Sequence, residues 1–276
     1  MKAVRYATAG GEARLGRLDG DAVVDAGAAQ PEGFVPSDEG WDHIAAASGD
    51  PMPLAGLRLL HPTVPRSLIA IGLNYRDHAA ESELEIPPVP VVFAKFPSAL
   101  VGPDDAIVVP REETRPDYEG EVAVVLGRTV YRASADEARA AVGGVTCLHD
   151  VSGRRAQLET PLRQFTLGKS FDTFSPMGPC VASAADMDLG SVGIRTVVSG
   201  ETMQDSNTAN LIFSIVDLIV YCSAGVTLEA GTVIATGTPG GVGDSRVPPR
   251  YLREGDVVEI TVDGVGTLRN PVTLER

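Results

Sequence analysis

Asp117-Tyr118-Glu119-Gly120-Glu121-Val122-Ala123-Val124-Val125-Leu126-Gly127 is the stretch on which the fold turns. Val122 to Leu126 are apolar without a break, as in a strand covered on both faces, and Gly127 ends the run. A strand predicted over Tyr118–Leu126 therefore belongs inside a sheet. Val145–Asp150 reads as a second such strand and Ser67–Gly72 as a third. Further short strands are predicted at Val91–Ala94, Ala106–Val109, Pro179–Ala182, Arg195–Val198, Thr232–Ala235 and Val257–Val262. Helices are fewer. Ser134-Ala135-Asp136-Glu137 is a capping box opening one that runs to about Val142. Asn210–Cys222 is the longest apolar candidate. Short strands outnumber helices and do not alternate with them, so the prediction is an α+β fold built on β-sheet, not a doubly wound sheet.

On the N-terminal side, Lys2–Ala7, Ala13–Leu18 and Ala22–Asp25 read as short strands parted by turns at Gly10-Gly11 and Asp19-Gly20. Ser37 caps a predicted helix over Asp38–Ser48. Pro51, Pro53, Pro62 and Pro65 then crowd the chain. We place a boundary there, between a small N-terminal domain over 1–62 and a larger domain over 66–276.

Composition narrows the classes of function. The 276 residues are 43% hydrophobic and 22% charged, a globular balance with enough chain for a sizeable core. A net charge of −14 repels phosphate backbones, which argues against nucleic acid as a partner. No apolar run approaches the ~18 residues that cross a bilayer, and no membrane partner is expected. Cys147, Cys180 and Cys222 are far apart and odd in number, so reduced thiols and a cytoplasmic location are expected.

Two familiar motifs fail. Gly168-Lys169-Ser170 looks like the end of a phosphate loop, but the earlier glycine would fall on Arg163. Thr236-Gly237-Thr238-Pro239-Gly240-Gly241-Val242-Gly243 lacks dinucleotide-binding spacing, and Pro239 obstructs a helix there. A tight turn and a substrate-approach loop both remain open for it.

The acidic residues are less ordinary. In a strand, Glu119 and Glu121 share one face, roughly 7 Å apart. Such charges at the edge of a buried strand need a compensating cation, unless the strand end is simply solvated. Asp150, ending a second apolar strand, supplies a third carboxylate. Three carboxylates with no Cys or His ligand suit a hard cation such as Mg²⁺, Mn²⁺ or Ca²⁺. His78 and Glu81, three apart in the polar helical stretch Asn74–Glu83, share a face. They form either a surface pair or a general-base unit. Arg154, Gln157 and Lys169 are either exposed polar side chains or donors to an anionic substrate.

In this order and spacing, several segments resemble the fumarylacetoacetate hydrolase family. They are Ile71-Gly72-Leu73-Asn74-Tyr75-Arg76-Asp77-His78-Ala79-Ala80-Glu81, the stretch 117–127, His149-Asp150-Val151-Ser152, 167–176, 200–204 and 236–243. The match runs from about Leu68 to Pro271 and is nearest the bacterial branch labelled 2-hydroxyhepta-2,4-diene-1,7-dioate isomerase or diketo-deoxy sugar-acid hydrolase. The resemblance implies a β-rich mixed sheet or roll as the catalytic domain, a divalent metal (Mg²⁺ or Mn²⁺) and a homodimer. It places the metal ligands on Glu119, Glu121 and Asp150. The water-activating pair falls on His78 and Glu81, in a segment that acts as a mobile lid in relatives. Lys169 is a further catalytic group, and Arg154, Gln157 and Thr238 face the substrate. Arg155 departs from the acid of several relatives and adds a charge expected to alter substrate choice.

The activity so implied is hydrolysis of a C–C bond in a β-diketo acid of the acylpyruvate type. A metal chelating the carboxylate and 2-oxo group accepts the electron pair, and His78 with Glu81 activates the water. Decarboxylation of an oxaloacetate-like acid and isomerisation of a hydroxydienoate use the same ligands and stand as alternatives.

Overall fold

The computed structural model describes residues 1–276. The strand Gly120–Leu126 is buried at every position and lies near the middle of a twelve-stranded, mostly antiparallel sheet. On one side it pairs antiparallel with Val142–His149, with Glu121 opposite Leu148 and Gly120 opposite His149. On the other it pairs with Val233–Ala235, which in turn runs parallel to Leu68–Gly72. Val91–Lys95 closes that edge of the sheet.

A second sheet of five strands is ordered Glu201–Asn207, Gly193–Val198, Val257–Val262, Gly266–Leu274 and Ile107–Val109. The period-two alternation of Gly120–Leu126 divides the core. Val122, Val124 and Leu126 join Ile194, Val198, Val258 and Ile260 of the second sheet in a cluster of 38 buried residues. Ala123 and Val125 point the other way and pack with Leu68, Ala70, Leu148, Met177 and Val181. That two-sided cover is what the unbroken apolar run requires.

The first sixty residues add strands Lys2–Ala7, Ala13–Asp19, Ala22–Ala28, Met52–Pro53 and Arg58–Leu60 to the large sheet. Lys2 and Ala3 pair with Ala182 and Val181, so the sheet runs on across the predicted boundary. Ser37 caps its helix by accepting from the Gly40 amide, but the helix ends at Ala45, short of Ser48. The Ser134–Glu137 capping box forms, and Ala135–Ala141 is helical.

The apolar helix is shorter than Asn210–Cys222. Ser214 makes a capping box with Asp217 and starts it at Ile215, after a separate 3₁₀ turn over Thr208–Asn210. A local serine cap outweighs the apolar periodicity before it. Strands Glu201–Asn207 and Gly266–Leu274 were not predicted. Their alternation is diluted by polar residues on the exposed face. No helix is long and apolar enough to cross a membrane.

Candidate metal centre and active site

The carboxylates of Glu119, Glu121 and Asp150 converge, with one oxygen from each lying within 4.8 Å of the others. All three residues are buried, which rules out the solvated strand end. The route to convergence differs from the one predicted. Glu119 is not in the strand: the ladder begins at Gly120, and Glu119 lies in the break after Pro116–Asp117. The Asp150 amide donates to the Glu119 carbonyl at 2.8 Å and ties the two strand ends together. Gly120 is required between the two acids. A Cβ there would stand 2.2 Å from Thr196 Oγ1 of the second sheet. Gln204 Oε1 and the Thr238 hydroxyl bond the Gly120 amide and carbonyl from that side.

Three buried cations surround the acids. Lys169 Nζ bridges Glu119 Oε2 (2.5 Å) and Asp150 Oδ2 (2.7 Å). Arg154 grips Asp117 through Nε and Nη2 and reaches Glu119 Oε1 at 2.6 Å, while its Nη1 donates to Gln157. Lys95 donates to Asp150 Oδ1 at 2.5 Å and to the Lys169 carbonyl. Lys95 is fully buried and was missed in the sequence. The signal was a cation closing the apolar run Val91–Ala94, the same pattern that marked Asp150. Asp117, equally buried, was missed as well.

The charges do not balance. Four buried carboxylates, Asp117, Glu119, Glu121 and Asp150, face three buried cations. Burial raises the Glu119 pKa, but Lys169 and Arg154 outweigh it and hold Glu119 below the usual carboxylate range. Glu121 has no cationic partner; its oxygen accepts only the Gly237 amide at 2.9 Å. Burial, then Asp150 and Glu119, push it well above the usual range. An uncompensated all-oxygen donor set of this kind fits a hard divalent cation held by Glu119, Glu121 and Asp150. Burial lowers the charge preference of Lys169, yet Asp150 and Glu119 outweigh it and keep the ammonium charged. Burial, with Lys95 nearby, pushes His149 down to about 3, so it stays neutral.

A cleft of about 560 Å³ opens beside this cluster. His78, Glu81, Glu119, Arg154, Gln157, Lys169 and Thr238 all line it, so the sequence candidates are brought together, while Glu121 and Asp150 lie beneath. His78 Nδ1 is 2.8 Å from Glu81 Oε1. The carboxylate can only accept, so Nδ1 carries the hydrogen and Nε2 is left as the acceptor. The helix bearing this pair, Arg76–Glu81, is not loosely docked. Asp77 accepts from the Gly240 amide and from Ser206, and Glu81 from the Gly241 amide at 2.6 Å. Asn74 is buried and bonded to Thr236 and Phe213. The exposed part of the expected lid is therefore about 83–89, including Leu84, Ile86 and Val89.

The glycine-rich stretch is a loop of donors. Its amides at 237, 240, 241 and 243 hold Glu121, Asp77, Glu81 and Asp117 respectively. Arg155 does not belong to the cleft. It is exposed and donates to the Glu112 carbonyl, because the next residue along a helix turns about 100° away from Arg154.

Residues 67–273 match the model of the fumarylacetoacetate (FAA) hydrolase C-terminal family. The chain is 43% identical over 220 residues to oxaloacetate tautomerase YisK of Bacillus subtilis, covering 77% of this chain and 72% of that one. Among solved structures, 5-carboxymethyl-2-hydroxymuconate delta-isomerase from Mycobacterium smegmatis superposes with TM-score 0.83 at 35% identity, covering all of both chains. Fumarylacetoacetate hydrolase (EaFAH) from Exiguobacterium antarcticum does so with TM-score 0.84 at 34% identity, again over all of both chains. A buried acidic triad, a His–Glu pair and a match over some three quarters of the chain agree, and the protein belongs to the fumarylacetoacetate hydrolase family.

Proposed function

We propose that the protein is a divalent-metal-dependent enzyme that interconverts the keto and enol forms of a 2-oxo acid of the oxaloacetate type. The observation carrying this reading is the placement of the His78–Glu81 pair on the same cleft as the acidic triad and Lys169. The tautomerase and isomerase named among its relatives support it. A bound Mg²⁺ or Mn²⁺ would supply a Lewis acid that draws charge toward the 2-oxo oxygen. The residues do the rest. His78 Nε2 accepts a proton from the carbon next to the oxo group, and Glu81 steadies the imidazolium so formed. The C–H electron pair moves into the new C=C bond as the C=O pair moves onto oxygen. Lys169 donates a hydrogen bond to that oxygen, which takes a proton from water to complete the enol, and the His78 imidazolium returns its proton to water. Arg154 and Gln157 orient the carboxylate end.

C–C hydrolysis of an acylpyruvate is the second reading. The His78 and Glu81 side chains are 14% and 26% exposed, so water reaches the pair and can be the group His78 deprotonates. The fumarylacetoacetate hydrolase among the structural relatives favours it. We also propose a cytoplasmic homodimer, as the family resemblance implies. Light scattering of the purified protein would then give about twice 28.8 kDa. A fully active 28.8 kDa species would overturn the dimer.

The test is proton exchange at C3 of oxaloacetate in D₂O, followed by NMR against a metal-only control. The expected result is metal-dependent exchange with the carbon skeleton intact, abolished by a chelator and restored by Mg²⁺ or Mn²⁺. Acetate and pyruvate formed from acetylpyruvate would favour hydrolysis. Exchange no faster than the control would overturn the tautomerase.

A further inference from the structure

Three cationic side chains line the cleft, and two are paired with protein carboxylates and assigned to the 2-oxo acid end. Arg154 is bound to Asp117, Glu119 and Gln157, and Lys169 to Glu119 and Asp150. The third, Arg163, lines the cleft with no hydrogen bond or ion pair from its guanidinium. Three of the four acids in the lining are taken: Asp244 by Arg115 and Tyr251, Glu81 by His78 and the Gly241 amide, and Glu119 by Arg154 and Lys169.

Arg163 closes the turn Thr160–Arg163 between the helices Arg154–Leu158 and Phe165–Gly168. Its amide donates to the Thr160 carbonyl at 3.2 Å, and the Gln164 amide donates to the Gln157 carbonyl at 3.0 Å. Gly168 packs so tightly that a Cβ there would lie 2.7 Å from Gln157 N. The turn is thus held against the two helices that present Arg154, Gln157 and Lys169. Arg163 has φ +47°, in the left-handed region where glycine is the low-cost residue. The backbone gains nothing from arginine there, which directs attention to the side chain.

We propose that Arg163 is a specificity-determining residue that binds the carboxylate of the substrate farthest from its 2-oxo acid end, so that the enzyme selects dicarboxylic over monocarboxylic 2-oxo acids. This rests on the reading of the cleft as a 2-oxo acid site. A second carboxylate entering a chain of charge −14 needs a counter-charge, and Arg163 is the cation of the cleft lining that is free to supply one. The guanidinium fork matches a carboxylate in shape as well as charge. Arg163 is assigned neither to the proton that His78 removes nor to the oxygen that gains charge, so its contact with the distal carboxylate counts alike in ground state and transition state. Its loss therefore acts on KM and leaves kcat.

The test compares Mg²⁺-loaded wild type with Arg163→Gln, Arg163→Lys and Arg163→Gly, by kinetics and by calorimetric binding. The ligands are oxaloacetate and longer 2-oxo dicarboxylates on one side, 2-oxobutanoate and acetylpyruvate on the other. The expected result is a KM or Kd for dicarboxylates raised about 10- to 100-fold in Arg163→Gln, the scale of a charge-assisted hydrogen bond. Monocarboxylates should change less than about twofold. Arg163→Lys should recover part of the loss. Arg163→Gly should match Arg163→Gln without a lower melting temperature, since it relieves the left-handed backbone. A dicarboxylate preference that survives Arg163→Gln overturns the assignment while leaving the 2-oxo acid reading intact. Wild type that binds neither class overturns both. Glu83 lines the same cleft, so an equal loss for both ligand classes in Arg163→Gln and Glu83→Gln would make Arg163 a latch to the lid instead, and would also overturn it.

Discussion

His78 is the residue whose removal separates the chemistries this cleft can support. It is no ligand of the acidic triad, and its Nδ1 is engaged by Glu81. His78→Ala should lower kcat for tautomerisation by roughly 10²–10⁴-fold, the usual scale of general acid–base help. Mn²⁺ affinity, read by calorimetry, should barely change. Glu81→Gln should cost less, because the imidazole stays while its orienting charge goes. The two losses should not add, since the residues act as a unit. Any decarboxylation, which needs no attacking water, should survive His78→Ala far better than hydrolysis. A near wild-type exchange rate in His78→Ala would return the pair to a surface role. Glu121→Gln tests the other half of the site: Mn²⁺ affinity should fall while the protein stays folded, because the Gly237 amide can still bond the side-chain oxygen.

Single elements carry their own electrostatics, and the first hairpin shows it. Asp25 on strand Ala22–Ala28 accepts from Arg14 Nε (2.8 Å) and Nη2 (2.5 Å) and from the Tyr6 hydroxyl (2.5 Å). The Arg14 hydrogen bonds, opposed by burial and aided by Tyr6, hold Asp25 at about 2. A folded pKa below the unfolded value means stability that is present above about pH 4 and lost as pH falls toward about 2. The carboxylate side chain is 36% exposed, so solvent screens the effect to under about 1 kcal/mol. Urea unfolding of Asp25→Asn should show a deficit near neutral pH that shrinks through this acid window. A deficit of constant size across it would show that the ionised carboxylate is not what stabilises the hairpin.

For the whole molecule, the consequence lies in the continuity of the large sheet. Lys2–Ala7 covers the edge of Ser175–Ser183, and its Val4 and Tyr6 pack in the same 38-residue core as Val122 and Ile260. A chain shortened to 66–276 would expose that edge and those core faces. We expect it to aggregate or to melt well below the full chain in calorimetry. A soluble 66–276 fragment with the melting temperature and metal affinity of the full chain would show that the N-terminal unit is an independent attachment.

What the sequence alone determined was local. The unbroken run Val122–Leu126 demanded a central strand, the serine caps demanded helix starts at 38 and 135, and three acids without a soft ligand suited a hard cation, with a solvated strand end as the alternative. These follow from covalent periodicity and side-chain chemistry, which need no knowledge of distant neighbours. The resemblance carried by 71–81, 117–127 and 236–243 added the family. Tertiary structure decided everything that depends on which strands become neighbours. It buried Arg154, Gln157 and Lys169, which spacing alone left as exposed as any surface residue. It brought Lys95 from an edge strand to Asp150, and turned a glycine-rich loop into donors for four carboxylates. It also turned Arg155 away from the cleft and left Arg163 in it. Charge compensation is a long-range property: a buried carboxylate is paired by whichever cation the chain path brings to it, and no local pattern records that path.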